Sequence, residues 1–133
     1  MPSIFTKIVQ GDIPSYKMAE TEKCYAFLDI HPLAEGHVLV IPKEEVDYLF
    51  DVEDDLYTDL MLFSKKVAKA IKRVISCERI GVAVIGLEVP HAHVHLVPIK
   101  NVHDIDFSRP KLSFSEAELE STAEKINAAF LLL

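Results

Sequence analysis

Three of the chain's 6 histidines occupy every second position in the stretch Pro90-His91-Ala92-His93-Val94-His95-Leu96-Val97-Pro98. Residues of a β-strand alternate between its two sides, so this spacing predicts a strand over His91 to Ile99 with His91, His93 and His95 on one face. Ala92, Val94 and Leu96 then point the other way, into a core. Successive imidazoles are placed about 7 Å apart along a rigid edge. Ring nitrogens that repel one another when protonated bring no packing benefit, so the row reads as chemistry and not as an idle polar face. Pro90 lacks an amide proton and limits how far the strand extends backward.

The other patterns predict an α+β fold around that strand. Ser3 caps a short helix carrying Ile4, Phe5 and Ile8, which Gly11 and Pro14 stop. Tyr16 to Glu20 and Cys24 to Asp29 are β-prone and are joined through Thr21-Glu22-Lys23 as a hairpin. The near-continuous apolar run in Gly36-His37-Val38-Leu39-Val40-Ile41-Pro42 predicts a strand buried on both faces. Leu56, Leu60, Phe63, Val67, Ile71 and Val74 recur every three or four positions, which predicts one long amphipathic helix from Leu56 to Ile75. Acidic Asp51, Glu53, Asp54 and Asp55 precede or open it, and Lys65, Lys66, Lys69, Lys72 and Arg73 follow toward its end, a polarity that complements the helix dipole. That basic cluster reads as a solvated helix face rather than a phosphate patch. Val82 to Ile85 is a further strand, and Ser115-x-x-Glu118 has the spacing of a capping box for a last helix through Leu119, Ala123, Ile126 and Phe130. Asn101 to Ser113 reads as loop. Five strands and one long helix imply a largely antiparallel sheet with that helix on one face and shorter helices near the two ends of the chain.

Composition narrows the function classes. The 133 residues, with 50% hydrophobic side chains and neither a linker nor an internal repeat, fit a single domain over residues 1–133. A net charge of -7 repels phosphate polyanions, so nucleic acid is not an expected partner. Cys24 and Cys77 stand alone, which argues against a zinc finger, a thioredoxin-type pair and a secreted disulfide scaffold. No segment approaches the ~18 consecutive apolar residues of a membrane span, and Met1 to Lys7 has no basic stretch followed by an apolar run. No membrane partner is expected, and the cytoplasm is the expected location.

Two chemistries suit the histidine row. His-x-His on a strand can supply two zinc ligands, but the Asp beside the last His that a metallohydrolase would add is absent. Alternatively one neutral imidazole attacks an electrophilic centre while the others position it and the charge that develops. A phosphoramidate formed on histidine is labile enough for water to remove.

His91-Ala92-His93-Val94-His95-Leu96-Val97 resembles the motif of the histidine triad (HIT) superfamily, His-φ-His-φ-His-φ-φ with φ apolar. Phe27-Leu28-Asp29-Ile30 and Gly36-His37-Val38-Leu39-Val40-Ile41-Pro42-Lys43 resemble the rest of the same family, in matching order and spacing from Ile4 to about Val97. The resemblance implies a nucleotide hydrolase or transferase acting on the α-phosphate of purine nucleoside phosphoramidates or dinucleoside polyphosphates, through a covalent nucleotidyl-histidine. His93 matches the nucleophile, His95 the contact to the α-phosphate oxygens, and His91 the support of the ring network. His37 matches a histidine linked to proton transfer at the leaving group. Asp29 matches the acid that holds the ribose hydroxyls, and Ile4, Phe5, Ile8, Phe27 and Ile30 match the slot for the base. No metal and no cofactor are implied. A purine nucleotide or nucleotide conjugate is the implied partner, together with a second copy of the chain in a two-fold dimer joined by long helices and central strands. His31 and His103 match no motif position and read as surface residues. The chain departs from the family at the leaving-group side: the usual upstream Asn is absent from Gly81 to Pro90, Glu88 stands where a neutral side chain is usual, and Glu45 replaces a histidine. Glu88 is expected near the α-phosphate and its leaving group, favouring phosphoramidates over polyphosphates. The runner-up is a nucleotide-binding protein of the same family that turns over little.

Overall fold

The computed structural model describes residues Met1–Leu133. Helix α1 (Ile4–Val9) leads into the hairpin β1 (Lys17–Glu20) and β2 (Cys24–Leu28), then β3 (Val38–Pro42), the long helix α2 (Asp54–Val74), β4 (Arg79–Ala83), β5 (Val94–Ile99) and α3 (Glu116–Leu131). Short 3-10 turns at Leu49–Asp51 and Val102–Ile105 join them. The five strands form one sheet in the order β1-β2-β3-β5-β4, and every neighbouring pair is antiparallel.

Helix α2 buries Leu56, Leu60, Phe63, Val67, Ala70 and Ile71 against the sheet, the apolar stripe expected from its period. It carries Asp54 and Asp55 in its first turn and Lys72 and Arg73 in its last. Helix α3 begins at the Ser115/Glu118 capping box and runs 16 residues, so it is not a short terminal helix. It covers the β1 end of the same sheet face. Phe130 packs edge-on against Phe63 of α2 at 5.7 Å, and Asn127 Nδ2 donates to Met18 O at 2.7 Å. Two helices, not one, therefore cover this face. Their core has 22 buried residues, including Met18, Ala26, Val38, Val40, Val94 and Leu96 from the strands.

The opposite sheet face is covered only in part. Tyr25, Phe27, Leu39 and Ile41 project there and meet Phe5 and Ile8 of α1 in a second cluster of 6 residues.

Two strand boundaries differ from expectation, for a common reason. The β3–β5 ladder ends at Val40↔Val94, so His91 and His93 precede β5 in an irregular segment. There His91 N–H donates to Val89 O and Ala92 N–H to Val46 O. Strand β4 lies at Arg79–Ala83 rather than Val82–Ile85, because its pairing with β5 runs out at Ala83↔His95. Gly86, with φ of 74°, then turns the chain away. Nor is the histidine strand an edge: β5 lies between β3 and β4.

Candidate active site

Although His91 and His93 lie outside the ladder, the alternation around them holds. Ala92, Val94 and Leu96 enter the helix-side core, and the three histidines turn to the other face. They are not exposed: His91 is 0%, His93 7% and His95 8% accessible, with His37 beside them at 1%. Buried imidazoles need partners, and the identity of each partner fixes where each proton sits.

Ser3 caps α1 by accepting from Thr6 N–H at 3.0 Å. Its hydroxyl lies 2.8 Å from His91 Nδ1, and His91 Nε2 is 2.7 Å from Pro42 O. A carbonyl can only accept, so His91 carries its proton on Nε2 and Nδ1 accepts from Ser3. This ring replaces the missing ladder contact at the end of β3 and locks α1 to the sheet. Glu45 braces the same corner, its Oε1 accepting from Ser3 N–H and from Thr6 Oγ1 at 2.7 Å. Those two hydrogen bonds, the Ser3 amide first, pull its carboxyl down to about 2.

His93 Nδ1 donates to His91 O at 2.7 Å. Its proton is thereby committed to Nδ1, and the Nε2 lone pair is left facing the cavity that His93 lines. Phe5 packs edge-on against the ring at 4.9 Å and restricts its rotation.

A second relay sets His95. Leu33 N–H donates to His37 Nδ1 at 3.0 Å, so the His37 proton sits on Nε2 and points at His95 Nδ1, 3.0 Å away. His95 must then hold its own proton on Nε2, as a donor. Gly36, with φ of +87°, makes the turn that delivers His37, and a Cβ there would meet Ile75 Cγ1 at 2.7 Å. Burial first, then the neighbouring His95 and Lys111, pushes His37 down to about 3. Burial first, then His93, pushes His95 down to about 4, and burial lowers His91. These three rings are neutral at physiological pH.

The cavity in front of His93 and His95 has a volume of about 600 Å³, within the range of small-ligand sites. Ile4, Phe5, Ile8, Phe27 and Ile30 all line it, as do Asp29 and Glu88. Asp29 Oδ1 accepts from His31 N–H at 2.9 Å, and burial raises its carboxyl above the usual range. Two sequence-predicted residues stand back from the cavity wall. His91 is enclosed behind His93, and His37 is enclosed behind His95. His31 is exposed as expected but lies on the cavity rim, whereas His103 is exposed away from it.

Leu39, Phe107 and Lys111 also line the cavity and were not singled out from the sequence. Leu39 shares the alternation that brings Phe27 to this face, so the strand period carried its signal. Phe107 and Lys111 come from the segment read only as loop. The Phe107 ring lies 4.7 Å from His95, and no local pattern announces it.

Asp29, His37 and His95 each bring one potential ligand atom within 4.8 Å of the others. That set does not fit a cation, because His37 Nδ1 already accepts from an amide and its Nε2 therefore carries a proton. The facing His37 and His95 nitrogens are committed to the hydrogen bond between them.

The HIT domain family model matches residues 10–102. The chain belongs to the HIT family. It is 45% identical over 96 residues to an adenosine 5'-monophosphoramidase of Saccharomyces cerevisiae, covering 71% of this chain and 61% of that relative. It is 37% identical over 131 residues to an adenosine 5'-monophosphoramidase of Schizosaccharomyces pombe, covering 96% of this chain and 98% of that relative. A solved structure of a HIT-like protein from Bartonella henselae superposes with a TM-score of 0.82 at 31% identity, covering 96% and 95% of the two chains. In this HIT protein the matched segment takes in the whole sheet, and the α3 layer lies beyond it.

Proposed function

We propose that this HIT protein is a nucleotide hydrolase that cleaves purine nucleoside phosphoramidates or dinucleoside polyphosphates at the α-phosphate, by way of a nucleotidyl group on His93 Nε2. The observation that carries this reading is the proton assignment at His93, where donation to the His91 carbonyl leaves Nε2 as a directed lone pair at the cavity floor. Relatives named as adenosine 5'-monophosphoramidases support the substrate class.

The steps follow from the same geometry. The base occupies the slot of Phe5, Ile8 and Phe27, where area burial and edge contacts hold a purine, and Asp29 accepts from the ribose hydroxyls. His93 Nε2 donates its lone pair to the α-phosphorus. A nitrogen–phosphorus bond forms as the bond to the leaving group breaks, and the departing amine takes a proton from solvent. The positive charge on the imidazole is shared with the His91 carbonyl through Nδ1–H. His95 donates from Nε2 to a non-bridging oxygen, where negative charge accumulates. Water then attacks phosphorus and loses a proton, the bond to His93 breaks, and its electron pair returns to Nε2 with release of the nucleoside monophosphate. His91 and His37 act as positioning residues behind the two reacting rings.

Intact-mass spectrometry after mixing with an adenosine phosphoramidate and excess chelator tests the reading. An adenylyl adduct that the His93→Ala protein lacks is expected. Turnover without any adduct, or turnover abolished by the chelator, overturns it.

The reading also takes residues 1–133 as one domain that works as a homodimer in the cytoplasm. No helix is long and apolar enough to cross a membrane. Support for the dimer comes from β4, an edge strand with Val82 58% and neighbouring Ile85 50% exposed, which leaves an apolar pairing edge open. A monomer mass by light scattering at micromolar concentration overturns it.

A further inference from the structure

We infer that Lys111, delivered by the loop after β5, is the residue that recognises the phosphate charge of the substrate. This rests on the nucleotide reading above and adds a specificity-determining residue to it. The cavity walls carry two carboxylates, Asp29 and Glu88, and Lys111 is the only lysine or arginine among the lining residues. The buried His95, held neutral, can donate a hydrogen bond but supplies no charge, and His31 stands exposed at the rim. A phosphate anion entering between two carboxylates requires a cation to offset them.

The loop is built to hold one. Leu112 N–H donates to Pro32 O at 2.8 Å, and Asn101 and Asp104 form a reciprocal capping box at its start. Arg109 Nη1 donates to His103 O at 2.7 Å. Lys111 Nζ is held by Phe107 O and, at 3.1 Å, by Arg109 O. Carbonyls fix an ammonium without neutralising it, and Lys111 makes no ion pair with any carboxylate. One of its three protons remains free. The Phe107 ring that shares this anchor rests on His95, so the ammonium is tied to the reacting end of the cavity. Burial is the main cause of the raised Asp29 and the lowered His37, and the Lys111 charge adds a smaller lowering at both, which places its field on that side.

Calorimetric titration of the full chain with AMP and with adenosine tests the inference. In Lys111→Gln, AMP affinity is expected to fall about tenfold, equivalent to about 1.4 kcal/mol, and adenosine affinity to stay unchanged. Lys111→Arg should keep AMP affinity within about threefold, because the charge remains while the carbonyl contacts change. The loss in Lys111→Gln should shrink at high salt, as a charge effect on an exposed lysine must. An AMP affinity unchanged in Lys111→Gln overturns the inference, and so does an equal loss for AMP and adenosine, which would make Lys111 a support for the loop. Neither result touches the hydrolase reading, which stands or falls on the His93 adduct.

Discussion

The two faces of the sheet have been put to different uses by one set of strands. On the helix side, α2 and α3 close over 22 buried residues. On the other side the cover is α1, the turn carrying Ile13, the segment carrying Val89 and the loop after β5, a cluster of 6 residues forms, and the rest stays open as the cavity. Strand β5 and the segment before it serve both faces, with Ala92, Val94 and Leu96 in the core and His93 and His95 at the cavity. Stability resides where helices exclude water over a wide apolar area. Chemistry resides where the cover is partial and every buried polar atom is assigned a partner, since no buried side-chain nitrogen or oxygen is left unpaired.

If the faces are separable in this way, substitutions on each should move different observables. The largest effect is expected for His93→Ala, whose kcat should fall by several orders of magnitude while nucleotide affinity and the unfolding midpoint change little. Retention of more than a few per cent of the wild-type rate would break the assignment. Across the sheet, Leu60→Ala removes a fully buried side chain of α2 and should cost about 2 to 5 kcal/mol in urea unfolding. Turnover per folded molecule should be unaffected, and a matched loss of kcat at a temperature where the variant remains folded would show that the faces are coupled.

The pH dependence of stability should come from the cavity side. His37 and His95 titrate near 3 and 4 in the folded chain, below the value of about 6.5 expected when unfolded. The unfolded state therefore takes up protons first as pH falls. Their contribution is intact above about pH 6.5 and is lost progressively as pH falls to about 4 for His95 and about 3 for His37, at about 1.4 kcal/mol per pH unit for each histidine. Urea midpoints across this range measure the slope, and a flat profile between pH 6.5 and 5 would mean that these rings are not buried neutral. The smallest effect is expected at Glu88, which is exposed on the cavity wall. Glu88→Gln should lower the preference for an adenosine phosphoramidate over a diadenosine polyphosphate by about two- to fivefold, because solvent screens its charge. A kcat/KM ratio that stays constant at low and high salt would remove Glu88 from leaving-group choice.

Local chemistry made much of this protein legible from its residues. The spacing of Leu56, Leu60, Phe63 and Val67 specified α2, the Ser3 and Ser115 caps specified two helix starts, and the alternation at 91 to 96 specified which residues enter the core. Each of these signals lies within one or two turns of chain, and they determined the α+β class, the element order and the identity of the histidine row. Tertiary structure alone decided the depth at which the row is buried, the proton position on each ring, the bracing role of Glu45, and the entry of Phe107 and Lys111 into the cavity. The physical reason is that those properties belong to pairs of groups far apart in sequence. Ser3 and Pro42 set His91, Leu33 sets His37 and through it His95, and Pro32 anchors the loop that carries Lys111. A residue's own neighbours fix its face, but its hydrogen-bond partner across the sheet exists only once register and packing have brought the two together.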